Sequence, residues 1–189
     1  MSAVASAAAS SWRFASFTIK NQVFYQSPLS LGLVNLKPLV PGHVLIIPKR
    51  VVPRFGDLTP EEVGDLFAST QQVSKVIEKE YKAQSLNLAI QDGPAAGQSV
   101  PHVHLHLIPR TLGDYEPMDE VYNALDSTDL TSDYTAYRNR ETRAARKERE
   151  KQVFGVDNEE RMARSSEEME EEARRLSLLF PEERRGAFE

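Results

Sequence analysis

Between residues 12 and 110 apolar positions recur with two different periods, and the switches between them mark out the elements. Residues 12–20, 22–26, 31–36 and 43–47 read as short strands, the last bounded by Pro41-Gly42 and Pro48. Thr59-Pro60-Glu61-Glu62 has the form of a helix start. Thr59 can cap, Pro60 suits the first turn, and Glu62 can close a capping box. Val63, Leu66, Phe67, Val73 and Ile77 follow at helical spacing, which predicts one long helix over residues 60–81. Alternation returns at residues 85–91, with Leu86, Leu88 and Ile90 on one face. A loop of turn residues, Gln91-Asp92-Gly93-Pro94-Ala95-Ala96-Gly97-Gln98, leads into a last alternating segment at residues 101–109. Strands around one long helix predict an α+β domain built on an antiparallel sheet.

Beyond residue 110 the pattern breaks. Residues 113–133 carry seven acidic side chains and no basic one, and residues 138–151 are strongly basic. Large apolar residues are scarce in both, so little burial offsets the entropy of ordering. The expected division is an unstructured extension at 1–11, a domain at 12–114, a solvated and mobile insert at 115–164, and a C-terminal helix at 165–181. For that helix Ser165 and Glu168 can form a second capping box. Met169, Ala173, Leu176, Leu179 and Phe180 then share a face until Pro181 stops the helix. That stripe is expected to dock on the main domain or on a second subunit.

Composition narrows the chemistry. A chain of 189 residues suits one domain with appendages. It has no cysteine, which excludes disulfides, thiolate–zinc sites and cysteine nucleophiles. A net charge of -5 gives no reason to expect nucleic-acid binding over the surface. No apolar run approaches the roughly 18 residues of a membrane span. Residues 1–11 form an uncharged Ala/Ser stretch unlike a signal or transit peptide. A cytoplasmic location is expected, and the basic block leaves a nuclear one open.

The candidate chemistry lies in four histidines. His102, His104 and His106 alternate with Val103, Leu105 and Leu107, and the fourth, His43, follows Pro41-Gly42. In a strand the three would form a row on one face, neighbours about 6.5–7 Å apart, with the valine and leucines buried on the other. Three readings are open. The histidines can be hydrogen-bonded structural residues, or ligands of zinc, copper or iron. Alternatively, a neutral imidazole near pH 7 can attack phosphorus, with its neighbours binding phosphoryl oxygens. The preceding loop favours the third. Gly93 and Gly97 let backbone N–H groups turn toward an anion, and Gln91, Gln98 and Ser99 add neutral donors. The central His104 is the natural nucleophile.

His102-Val103-His104-Leu105-His106-Leu107-Ile108 resembles the signature of the histidine triad (HIT) superfamily of nucleotide hydrolases and transferases. The segment from Leu33 to Leu45, the loop from Gln91 to Gln98 and the closing Pro109-Arg110 resemble its fragile histidine triad branch. The resemblance implies a HIT-like α+β fold and a homodimer whose sheets join. It also implies hydrolysis of dinucleoside polyphosphates, diadenosine triphosphate in particular, to AMP and a second nucleotide. A divalent cation, magnesium or manganese, would ride on the substrate phosphates without a protein-bound metal.

By the same resemblance His104 is the residue that becomes nucleotidylated, and His106 is a ligand of the α-phosphate. His102 and His43 shape and polarise the site. Asn35 binds ribose hydroxyls, and Gln91 lies near the phosphates and leaving group. Gly97, Gln98, Ser99 and Val100 form the phosphate-contacting loop. The sequence departs from the branch in two places: Phe17 stands where a histidine is often found, and the charged insert is long. Two alternatives stay open. One is a nucleoside phosphoramidate hydrolase of the same superfamily, although the Trp-Pro-Pro-Gly-like tail of that branch is absent. The other is a slow-turnover protein whose nucleotide-bound form is a signal.

Overall fold

The computed structural model describes residues 12–127, 131, 135 and 163–188. A two-stranded hairpin comes first, β1 (Trp12–Phe14) with β2 (Phe17–Ile19). It corrects the expectation of one strand over residues 12–20. Ala15 takes a left-handed φ of 51°, so the chain reverses inside the segment. A five-stranded antiparallel sheet follows. It is formed by β3 (Val23–Gln26), β4 (Ser30–Val34), β5 (Val44–Pro48), β6 (Ser85–Ile90) and β7 (Leu105–Arg110), in the order β3-β4-β5-β7-β6.

Helix α1 (Pro60–Tyr81) starts as its sequence requires. The Thr59 side chain accepts from the Glu62 N–H at 3.2 Å, and Glu62 accepts from the Thr59 N–H at 2.9 Å. Arg50 adds a two-pronged bond to Glu62, at 2.7 and 2.6 Å. That bond, together with the Thr59 N–H, holds the Glu62 carboxyl down at about 2. Leu66, Val73 and Ile77 are fully buried, and α1 packs on β4, β5 and β7. Phe67, read as part of the stripe, is 46% exposed.

The register decides what shares a sheet face. Leu33 pairs with Leu45, and Leu45 with His106. With a side-chain period of two, Asn35 beyond β4 and His43 before β5 project to the face of Leu45 and His106. Strand β6 is an edge: Leu86 and Ile90 are half-buried there and Leu88 is 52% exposed. The opposite edge, β3, is covered by the C-terminal tail. Tyr25 bridges Arg185, and the Gly186 N–H donates to the Phe24 carbonyl.

Helix α2 (Glu120–Asp126) falls within the insert, with Val121 and Leu125 buried, so solvation does not extend over these residues. The basic block, like residues 1–11, lies outside the described residues. Helix α3 (Ser166–Ser177) begins with the expected capping box and docks on β3 and β4. Met169, Ala173, Leu176 and Phe180 are buried there, whereas Leu179 is 44% exposed. Among the described residues no helix is long and apolar enough to cross a membrane.

The docking of α3 sets a stability expectation. Leu176→Ala should cost about 2–4 kcal/mol by opening a cavity. Leu178→Ala, at a position 68% exposed, should stay within about 0.5 kcal/mol of the parent. Denaturant unfolding of the two variants checks this, and equal effects would mean that the stripe is not docked.

Candidate active site

The histidine segment is not one regular strand. β7 begins only at Leu105, so His102 and His104 precede the ladder and the evenly spaced row is not formed. The cause lies in Pro48 at the end of β5. It has no N–H to offer a neighbour, and its carbonyl is taken by the His102 ring through Nε2 at 3.0 Å. Residue 103 bonds elsewhere, its N–H donating to the Val52 carbonyl. Val103, Leu105 and Leu107 are buried as expected, and all four histidines are buried too.

The proton positions follow from the partners. On His102, Nδ1 accepts from the Ala15 N–H at 3.1 Å, so Nε2 carries the proton and donates to Pro48. Both ring nitrogens of His102 are thus bound to backbone, and the residue braces the hairpin turn against β5. On His104, Nδ1 lies 2.7 Å from the His102 carbonyl and must donate to it. A neutral His104 therefore keeps a lone pair on Nε2. On His43, Nδ1 accepts from the Leu39 N–H at 3.1 Å. Its Nε2–H then donates to His106 Nδ1 at 3.0 Å. This leaves the proton of His106 on Nε2, a buried atom with no hydrogen-bond partner among the described residues. The ring centroids of His104 and His106 are 5.0 Å apart, and those of His43 and His106 are 5.2 Å apart.

Burial disfavours the charged form of His102, His104 and His106. It pushes His102 down to about 4, against the opposing pull of the Pro48 carbonyl. It also lowers His104, and it lowers His106 well below the ordinary imidazole value, with His104 and His43 adding to the effect. The result is a nucleophilic nitrogen on His104 beside a hydrogen-bond donor on His106. That pairing suits attack on a phosphorus whose non-bridging oxygen needs a donor.

The other expected residues divide. Asn35 is fully buried at the end of β4, its amide nitrogen 3.2 Å from His43 Nε2 and its oxygen accepting from the Lys37 N–H. Gln91 donates to Asp126 of α2 at 2.9 Å. Gly97 has a φ of 82°, a left-handed conformation that favours glycine, and a Cβ there would lie 2.4 Å from the Gln91 amide nitrogen. Gln98 serves the loop itself, accepting from the Gly93 N–H and donating to the Pro53 carbonyl. The Ser99 carbonyl accepts from the Thr131 hydroxyl. Val100 is buried in the core, so only its backbone can face a ligand.

Sequence reasoning missed Phe14, whose ring lies 5.6 Å from His102 and 5.4 Å from His104. It also missed the backbone groups of Leu39, Ala15 and Pro48, which carry no side-chain signal. Among the described residues no group of three or more His, Cys, Asp or Glu is arranged to hold a metal ion.

The HIT domain matches residues 16–112, more than half of the chain. The chain belongs to the HIT family. A bis(5'-nucleosyl)-tetraphosphatase (asymmetrical) of Schizosaccharomyces pombe is 46% identical over 172 residues, covering 90% of this chain and 94% of that protein. The bifunctional bis(5'-adenosyl)-triphosphatase/adenylylsulfatase FHIT of Arabidopsis thaliana is 45% identical over 177 residues, covering 93% and 87%. Among solved structures, the Plasmodium falciparum diadenosine triphosphate hydrolase in complex with cyclomarin A superposes with a TM-score of 0.54 at 36% identity. It covers 61% of this chain and 82% of that one.

The buried neutral HIT histidines give a pH expectation. The folded pKa values of His102, His104 and His106 lie below the unfolded value of about 6.5. Stability is therefore complete above that value and falls as pH drops, because the unfolded chain takes up protons that the native state refuses. For His102, folded at about 4, the loss between pH 7 and 5 is about 2 kcal/mol. His102→Gln should flatten this slope. Chemical unfolding at the two pH values checks it, and unchanged stability at pH 5 would show that the rings are not held neutral.

Proposed function

We propose that this chain hydrolyses dinucleoside polyphosphates at the α-phosphorus, with diadenosine triphosphate giving AMP and ADP as the leading substrate. The observation that carries the reading is the backbone-fixed tautomer of His104. Its Nδ1–H is bound to the His102 carbonyl, and Nε2 is left as a lone pair. The names of the relatives from S. pombe and A. thaliana support the substrate class.

In this mechanism Nε2 of His104 bonds to phosphorus. The bond from phosphorus to the bridging oxygen breaks, and its electron pair leaves with ADP. Water then attacks the nucleotidyl-histidine. The nitrogen–phosphorus electron pair returns to His104, and the proton of the water passes to solvent. His106 Nε2–H binds a non-bridging oxygen as charge builds on it. Asn35 holds ribose hydroxyls, and Gln91 with residues 97–100 lies along the phosphates. A divalent cation, magnesium or manganese, enters bound to the substrate phosphates.

His104→Ala should lower turnover of diadenosine triphosphate by several orders of magnitude while nucleotide binding persists. Acid-quenched mass spectrometry of the unaltered protein during turnover should show one added nucleoside monophosphate on His104. Substantial activity in the variant would overturn the assignment. Parallel assays on diadenosine tetraphosphate and adenosine phosphoramidate fix the substrate.

We also propose a homodimer in which the two sheets join along β6. The support is that β6 is the edge the C-terminal tail does not cover, and that it exposes Leu88. Light scattering should read twice the chain mass for the unaltered protein and a smaller mass for Leu88→Lys. A monomer in both removes the dimer reading.

A further inference from the structure

The segment that carries Asn35 and His43 is fixed from outside the sheet by one small cluster. The Arg164 N–H donates to the Leu36 carbonyl at 2.9 Å. Its guanidinium donates to the Asn35 carbonyl through Nε at 3.0 Å, and again through a terminal nitrogen. The remaining terminal nitrogen is bound by Glu172 of α3. The Arg164 and Glu172 side chains are 18% and 14% exposed. Glu172 also accepts from the Tyr81 hydroxyl at the end of α1. The Tyr81 ring in turn lies on Gly42, so closely that a Cβ there would sit 2.5 Å from it. One carboxylate therefore secures both ends of residues 35–43. Asn35 is held through Arg164, and the turn before His43 is held through Tyr81.

The Asn35 carbonyl belongs to the same residue whose side chain lies against His43, and His43 donates to His106. A guanidinium fork on that carbonyl fixes the backbone from which the Asn35 side chain projects, and a monodentate ammonium cannot hold the carbonyl and Glu172 in the same way. We propose that Arg164, oriented by Glu172, is a positioning residue for nucleotide binding that acts on the ribose through Asn35. The inference rests on the reading of Asn35 as the ribose ligand. It assigns a function in the site to the C-terminal arm, which lies 129 residues from Asn35 in sequence.

The test compares AMP with 2',3'-dideoxy-AMP, which lacks the ribose hydroxyls, by calorimetric titration of the full chain. Arg164→Ala should weaken AMP binding roughly tenfold, the scale of one lost charge-assisted hydrogen bond. It should change dideoxy-AMP binding by less than about twofold. In turnover of diadenosine triphosphate the KM should rise while kcat holds within about threefold. Arg164→Lys and Glu172→Gln should fall between the parent and Arg164→Ala, and they carry the test if Arg164→Ala does not fold. Asn35→Ala is the control. If it weakens both nucleotides equally, the ribose reading fails and takes this inference with it. If Asn35→Ala discriminates between the two ligands and the Arg164 variants do not, this inference alone is overturned. A lowered melting temperature with both affinities unchanged would likewise reduce Arg164 to a structural residue.

Discussion

A buried imidazole keeps one proton, and its backbone partners decide which nitrogen holds it. The candidate site depends on that constraint at each histidine. The Leu39 N–H sets His43, His43 sets His106, and the His102 carbonyl sets His104. Ala15 and Pro48 set His102 itself. Burial supplies the other half by disfavouring the imidazolium form. An exposed histidine on the same strand would sample both tautomers and the cation, and its lone pair would point in no fixed direction.

The fold is what brings those backbone groups into range. Leu39 belongs to the connection between β4 and β5, whose reversal depends on the left-handed Gly42 packed under Tyr81. Pro48 ends β5 and, lacking an N–H, leaves the neighbouring chain at 102–104 outside the ladder. Its carbonyl is free to orient a side chain. Ala15 reaches His102 only because the first strand folds back as a hairpin. The irregular stretch before β7 is thus a product of the chemistry of Pro48, and it is where two of the four imidazoles acquire their roles.

This explains what could be read from the sequence and what could not. Helix α1 was legible because its stripe and capping box are side-chain signals, and the same holds for Ser165 and Glu168 at α3. The gathering of the histidines was legible as well, since three alternate along one segment and a fourth follows a turn beside it. The hairpin was not, because its left-handed position is held by Ala15, where glycine, asparagine or aspartate would have signalled a turn. Nor was the division of labour among the histidines, because it rests on carbonyls and N–H groups that every residue possesses. Gln98 looked like a ligand donor from its type, yet both ends of its amide close the loop on Gly93 and Pro53. Helix α2 was hidden by composition: only Val121 and Leu125 of its seven residues are buried apolar side chains, among acidic neighbours.

The hydrogen-bond inventory of the histidine cluster closes except at two atoms, the lone pair on His104 Nε2 and the proton on His106 Nε2. His102 uses both nitrogens, His43 uses both, and His104 Nδ1 and His106 Nδ1 are paired. His106 Nε2–H is a buried donor with no acceptor among the described residues. Leaving such a group unpaired costs about 1–3 kcal/mol in a folded protein. Replacing His106 with an apolar residue of similar shape would remove that cost, yet it would leave the proton on His43 Nε2 without an acceptor. The unpaired donor is therefore built into the same relay that fixes His43, and an anionic oxygen is the partner that satisfies it most strongly. Under the proposed reaction, a phosphoryl oxygen bound beside the His104 lone pair would offset that cost.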